Sequence, residues 1–460
     1  MLFNSLDFIL FFALVYAAYL LSPRRLRVVV LLAASLFFYM YWKIPYVLLL
    51  LLSGLVDFCV ALAIERSTRA KAKKAFLLIS LCSNLGMLGF FKYYNFFLDG
   101  LDTFALRPGW LSTTSLLLPL GISFYTFQTM SYTIDVYRGS LKAERNPLKL
   151  LTFVAFFPQL VAGPIVRASD LLPQINKCVR PTWDDFIVGG QRVMAGFIKK
   201  TVVADNVSVI VNQVYGAPDA YNGQALLIAT YAFAIQIVFD FSGYSDMAIG
   251  LARMLGFRFL ENFNMPYLSS SIQDFWRRWH ISLSSWLRDY LYIGLGGNRH
   301  GAWATYRNLM LTMLLGGLWH GASFNFVIWG AIHGVWLAIE RFYTRKMRHG
   351  THSSTTLGTW VKTLLVFHGV CLAWIFFRAP SFHDAWQTVT GIFMWTDGLS
   401  LRPFEVVYAL GLTLLGALFL VGFFKLKHYG SWAKGALFAY GLTCVIVFGS
   451  TGQDFIYFVF

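Results

Sequence analysis

Tyr46-Val47-Leu48-Leu49-Leu50-Leu51-Leu52-Ser53-Gly54-Leu55-Val56-Asp57-Phe58-Cys59-Val60-Ala61-Leu62-Ala63-Ile64 is apolar almost throughout, and Glu65-Arg66-Ser67-Thr68-Arg69-Ala70-Lys71-Ala72-Lys73-Lys74 follows it at once. A helix needs roughly 20 mostly apolar residues to cross ~30 Å of hydrocarbon, rising ~1.5 Å per residue. Residues 46–64 meet that need, and the basic decade behind them marks a cytoplasmic flank. Windows at 6–21, 26–42, 75–91, 115–136, 224–251, 358–377, 404–424 and 435–449 read the same way. The fold class is therefore an all-α polytopic membrane protein.

Composition agrees. Of 460 residues, 57% are hydrophobic and only 13% charged, whereas soluble domains run near ~45–50% and ~25%. A soluble globular enzyme is excluded. The formal charge of +16 would suit nucleic acid in a soluble protein, but here the basic residues sit in short runs between apolar stretches and set topology, so no nucleic-acid partner is expected. Cys59, Cys82, Cys178, Cys371 and Cys444 are scattered, with neither C-x-x-C nor a histidine at ligand spacing, so no metal site is expected. The run Leu6–Leu21 carries Asp7 rather than a basic leader and reads as a retained first span.

Arg24, Arg25 and Arg27 follow that span, which puts the N-terminus outside. From the other end, Arg341, Arg345, Lys346 and Arg348 mark one inside loop, and Lys425, Lys427 and Lys434 another. One more span then carries the chain out, so a membrane domain over 1–449 is expected to end in an outer-face tail, 450–460. Pro158 and Gly163-Pro164 interrupt 148–166; Gly316-Gly317, His320-Gly321 and Gly330 interrupt 304–340. Non-helical backbone at membrane depth survives only against protein or a water-filled cavity, so the centre of the chain should line one.

Ser271-Ile272-Gln273-Asp274 is a capping-box pattern opening a helix on which Phe275, Trp279, Leu283, Trp286 and Tyr290 recur at steps of three and four, with Arg277, Ser284 and Arg288 opposite. One amphipathic helix in the cytoplasmic interface is expected, ending in the loop Gly294–Gly301. Its cations Arg277, Arg278, Arg288 and Arg299, with His280, fit either anionic lipid headgroups or the phosphates of a soluble donor such as coenzyme A.

His320 stands in Leu314-Leu315-Gly316-Gly317-Leu318-Trp319-His320-Gly321-Ala322. An imidazole inside an apolar span is costly, and with an unperturbed pKa of ~6.5 it can take a proton near neutral pH, which makes it a candidate general base, with flanking glycines that admit a substrate or a neighbouring backbone. His333 reads as structural: on one continuous helix it would lie ~20 Å from His320 and on another face. The tail Gly452–Phe460 is too short to span and too aromatic to dangle in water; it reads either as an interfacial aromatic belt or as a segment that folds back.

Phe156-Phe157-Pro158-Gln159-Leu160-Val161-Ala162-Gly163-Pro164-Ile165, Phe241-Ser242-Gly243-Tyr244-Ser245-Asp246-Met247-Ala248-Ile249-Gly250, Asp274-Phe275-Trp276-Arg277-Arg278-Trp279-His280-Ile281-Ser282, Leu295-Gly296-Gly297-Asn298-Arg299 and Trp319-His320-Gly321 come in an order that resembles the membrane-bound O-acyltransferase family. The likeness runs nearly the whole chain and is nearest to the bacterial branch of alginate and peptidoglycan O-acetyltransferase membrane subunits. It implies a ring of tilted helices around a tunnel, in a multi-pass protein of the bacterial inner membrane. It also implies acetyl-CoA as cytoplasmic donor with no bound cofactor, His320 as the catalytic histidine, and His280 on the donor side. Asn298 is the nearest by order to an upstream Asn or Asp of eukaryotic relatives, at a spacing that departs from theirs. Phe455-x-Tyr457-x-x-Phe460 resembles an ending in which the tyrosine hydroxyl carries the acyl group, and an outer-face esterase-fold (SGNH-like) partner would then modify a polysaccharide. Rival readings are a transporter or channel, acylation of a secreted protein, and D-alanylation of a teichoic acid.

Overall fold

The computed structural model describes residues 1–103, 106–109, 111–161, 163–346, 356–424, 431–450 and 455. Among the described residues the chain is helical, with no strand beyond an isolated bridge between Tyr221 and Leu399. Among the described residues, five helices are long and apolar enough to cross a membrane: Ile44–Arg66, Ala70–Thr103, Gly223–Met254, Thr356–Arg378 and Pro403–Phe423. Leu6–Leu21 and Gly435–Phe448 are shorter apolar helices. The chain is an all-α polytopic membrane protein. The basic markers Arg348, Lys425 and Lys427 and the tail's Tyr457 lie outside the described residues.

The expected span at 115–136 is shorter than its hydropathy implies. Residues 115–121 are not helical, and the helix runs Ile122–Arg138. Gly121 precedes it at φ +72°, where a Cβ would lie 2.5 Å from the Leu160 carbonyl oxygen. Every residue from Ile122 to Thr133 is buried, so this helix is wrapped by protein on all sides. The 148–166 stretch breaks as its prolines require, into Pro147–Ala155 and a turn at Phe157–Leu160. The freed backbone finds partners: Phe157 N–H donates to Ser35 Oγ (3.1 Å), and Gln159 Nε2 to the Phe153 carbonyl (2.7 Å).

The chain divides into two compact units, residues 1–193 with 247–260 and residues 194–246 with 261–460. In the first, the Asp57 carboxylate of the 44–66 span is fully buried and, among the described residues, answered by neutral donors. Asn84 Nδ2 (2.8 Å), Thr133 Oγ1 (2.9 Å) and the Ser80 hydroxyl all donate to it. Ser53 and Thr129 in turn donate to Asn84 Oδ1, at 2.8 and 3.0 Å. Three helices are thus tied by one polar knot, in the way that intramembrane carboxylates are usually satisfied.

In the second unit, Lys200 is buried within a π-helical stretch, Ile198–Ala204. Its Nζ bridges Asp205 Oδ1 (2.7 Å) and Asp240 Oδ1 (3.0 Å), both carboxylates being buried as well. Asn206 Nδ2 donates to the Phe448 carbonyl (2.9 Å) and Ser450 N–H to the Thr201 carbonyl (3.0 Å), fastening the start of the tail to the same stretch.

The 304–340 stretch is a helical hairpin, Gly301–His320 and Phe324–Lys346, turning at 321–323. Only His320-Gly321 interrupts helix. Gly316, Gly317 and Gly330 lie inside the two arms, and Gly317 and Gly330 let the backbones close: a Cβ at Gly317 would be 3.1 Å from the Phe326 carbonyl carbon, and one at Gly330 would be 3.0 Å from that of Met313. Of the glycines beside His320, Gly317 therefore admits a neighbouring backbone, while Gly316 and Gly321 face the side chains of Leu287 and Phe326.

Candidate active site

The single amphipathic helix expected over 271–293 is two. Ile272–Arg278 stops at Trp279, His280 takes the left-handed conformation (φ +41°), and Ile281–Trp286 resumes before a π-helical turn at Leu287–Tyr292. The cause is a strap from upstream. Asn264 N–H donates to the Arg278 carbonyl and Ile281 N–H to the Asn262 carbonyl, both at 2.9 Å, replacing bonds the helix would make. Asn262 Oδ1 also accepts from the Ser282 backbone N–H (3.1 Å) and hydroxyl (2.9 Å), capping the second helix from outside it. Phe275, Trp279, Leu283, Trp286 and Tyr290 are nevertheless all buried. Ser271 Oγ accepts from Asp274 N–H (3.0 Å), while the Asp274 carboxylate pairs with Arg278 (2.9 Å).

His280 is fully buried and does not join the arginines. Its Nδ1 lies 3.2 Å from Asn262 Oδ1. Because the two Ser282 donors and the bond from Asn262 Nδ2 to Ser245 Oγ (3.1 Å) fix that amide's orientation, Nδ1 is the donor and Nε2 the acceptor nitrogen. Burial pushes the imidazole down to about 3, so it is a neutral hydrogen-bonding group. Asn262 has no local signal in the sequence, since its role depends on residues 18 and 20 positions away.

His320 closes the Gly301–His320 helix, buried among Trp319 (5.0 Å between centroids), Trp329 (5.1 Å) and Phe377 (5.2 Å). The His280 ring lies 6.0 Å from the same Trp319, so one indole touches both histidines. His333 does not lie on a continuous helix with His320; the hairpin turn folds it back, 4.8 Å from Trp329. The separation expected for a single helix is overturned by the break at Gly321. In the tail, the buried Phe455 packs on Tyr244 (4.4 Å) and Phe241 (5.8 Å), and Phe241 meets the His280 ring edge-on at 4.6 Å.

The arginines part company. Arg288 pairs with Asp289 (2.6 Å) as Arg278 does with Asp274, and Arg299 is exposed. Arg277 and Asn298, by contrast, share the wall of a cavity of about 450 Å³ with Gln273, Glu340, Arg341 and Thr344. Glu340 Oε2 already accepts from Ile272 N–H (2.7 Å), and neither Arg277 nor Arg341 has an acidic partner among the described residues. The cavity is thus cationic and suits an anion. Arg341 was legible only as a topology marker.

A helical membrane chain with buried histidines in an aromatic core beside a cationic cavity has the parts of an enzyme that handles an activated acyl group. The membrane-bound O-acyltransferase family model matches residues 140–379, and the chain belongs to that family. It is similar to a probable alginate O-acetylase of Pseudomonas aeruginosa, 46% identical over 399 residues covering 85% of this chain and 75% of the relative. A probable alginate O-acetylase of Pseudomonas putida is 45% identical over 438 residues, 93% of this chain and 88% of the relative. A peptidoglycan O-acetyltransferase of Helicobacter pylori is 36% identical over 397 residues, 81% and 74% of the two chains. The protein is a membrane-bound O-acyltransferase.

Proposed function

We propose that the chain takes an acetyl group from cytoplasmic acetyl-CoA and delivers it across the bacterial inner membrane for O-acetylation of an extracytoplasmic polysaccharide. The observation that carries this reading is the single indole, Trp319, between His320 and His280, with Phe455 of the tail packed on Phe241 of the His280 wall. This run of rings links a residue two positions from Tyr457 to the candidate base. The relatives named for alginate and peptidoglycan acetylation support the acceptor class.

In the proposed step His320 takes the proton from the Tyr457 hydroxyl as its oxygen attacks the thioester carbonyl. The C–O bond forms, the C–S bond breaks, and the thiolate leaves with that proton as the thiol; a positioned base of this kind contributes about 10²–10⁴-fold. The cationic cavity of Arg277 and Arg341, with Asn298 on its wall, receives the donor's phosphates. Arg278, Arg288 and Arg299 serve the approach or the lipid headgroups. The acetyl tyrosine then serves an esterase-fold partner on the outer face, which completes transfer to the glycan. No step in this scheme calls for a metal.

Acetyl content of the secreted polysaccharide tests this in cells that produce the variants. His320→Ala is expected to abolish acetylation at unchanged membrane abundance, and retained acetylation would overturn the base assignment. Tyr457→Phe keeps the ring and loses the hydroxyl; undiminished acetylation would refute the carrier step and leave the acyltransferase standing.

A further inference from the structure

His333 is fully buried among aromatic rings, and both its nitrogens lack a hydrogen-bond partner among the described residues. So do the indole nitrogens of Trp329 and Trp276, whose rings lie 4.8 and 5.2 Å from the imidazole and 5.7 Å from each other. Four polar atoms gathered in one apolar place without partners is an arrangement that folding alone disfavours. An imidazole sealed in this way stays neutral, with one donor and one acceptor nitrogen, and an indole can only donate. The cluster therefore offers three donors and one acceptor. A secondary amide answers three of these four: its carbonyl oxygen, with two lone pairs, accepts from two of the donors, and its N–H donates to the acceptor, in a plane that lies well against aromatic faces.

Its position says which amide. Trp329, His333, Leu337, Arg341 and Thr344 recur at three- and four-residue steps along one face of the Phe324–Lys346 helix, a length of ~22 Å. Leu337, Arg341 and Thr344 line the cationic cavity, as does Arg277, the neighbour of Trp276. Trp329 at the other end touches His320. His333 thus lies on the line from the cavity to the candidate base. We infer that His333, Trp329 and Trp276 grip an amide of the arm that joins the donor's phosphates to its thioester, which makes His333 a positioning residue for the donor. The inference rests on the thioester-donor reading above.

The test is acetyl transfer by the full chain in membranes, comparing acetyl-CoA with S-acetyl-2-mercaptoethanol, an acetyl thioester that contains no amide. His333→Phe fills the same space without nitrogens. It is expected to melt no lower than the unaltered chain, to raise KM for acetyl-CoA roughly tenfold, and to leave transfer from the amide-free thioester unchanged. Trp276→Phe, which removes one donor and keeps a ring, should raise the same KM about threefold. If His333→Phe leaves KM for acetyl-CoA unchanged, the cluster holds only water or nothing and the inference fails. An equal loss with both thioesters also overturns it, because the residue would then act on the chemistry or the fold. If the unaltered chain transfers from neither thioester, the donor reading falls and takes this inference with it; transfer by the unaltered chain that His333→Phe matches defeats the inference alone.

Discussion

Gly317→Ala should disable the enzyme without unfolding it. A Cβ at residue 317 would strike the Phe326 carbonyl oxygen and lie 3.1 Å from its carbon and 3.2 Å from Gly330 Cα, both shorter than the ordinary contact range of 3.4–4 Å. These are backbone atoms of the opposite hairpin arm, so no side chain can swing clear and the arms must part. Relief of the oxygen clash takes roughly 1 Å of separation, and a misplacement of that size costs about 10²-fold where a proton must pass across ~2.6–3.2 Å. His320 is three residues further along the same helix and moves with it. The assay is acetyl transfer normalised to membrane abundance, alongside a thermal melt. Gly86→Ala is the control, because nothing lies within 4 Å of a Cβ there. Activity of Gly317→Ala equal to that control would refute the claim that close hairpin packing aims the histidine.

Two further outcomes follow from buried and paired charges. Lys200→Met should cost about 3–5 kcal/mol by stranding two buried carboxylates, seen as lost membrane-inserted protein. Adding Asp205→Asn and Asp240→Asn should restore most of it, and a stable single variant would contradict the ion-triad account. Asp185 lies in the Trp183–Phe197 helix, outside the five spans. Burial pushes its carboxyl upward, but hydrogen bonds from the Thr182 hydroxyl (2.8 Å) and N–H (3.1 Å), with Arg253 (3.0 Å), outweigh this and hold it below the ordinary 3.8. A depressed carboxyl stabilises the fold above its unfolded pKa, and the gain is lost as pH falls through the lower folded value. Melting temperature should therefore fall less steeply below about pH 4 in Asp185→Asn than in the unaltered chain; identical acid profiles would count against the pairing.

Five of the expected spans, the Pro158 break and the buried stripe Phe275-Trp279-Leu283-Trp286-Tyr290 were legible because each depends on residues close in sequence. The stripe survived a broken helix because the chain resumes in a register that still buries the same side chains. What escaped is long-range. The break at His280 is imposed by the 262–264 strap, and Lys199-Lys200 reads locally as a basic pair although Lys200 is paired with Asp205 and Asp240. His333 was misplaced for a related reason: Gly316, Gly317, His320-Gly321 and Gly330 all look like breaks, and only tertiary packing decides that the turn falls at 321–323.

The knot at Asp57 bears on how the protein is made. A carboxylate near the centre of a lone helix costs about 2.5–3.5 kcal/mol to place in lipid. Its donors Ser80 and Asn84 belong to the next helix to leave the ribosome, Ala70–Leu88, and Thr133 arrives some fifty residues later. The 44–66 segment is therefore poorly suited to enter the bilayer by itself. Insertion machinery would have to hold it until its successor emerges and release the two as a pair, which makes the order of synthesis part of what secures this end of the molecule.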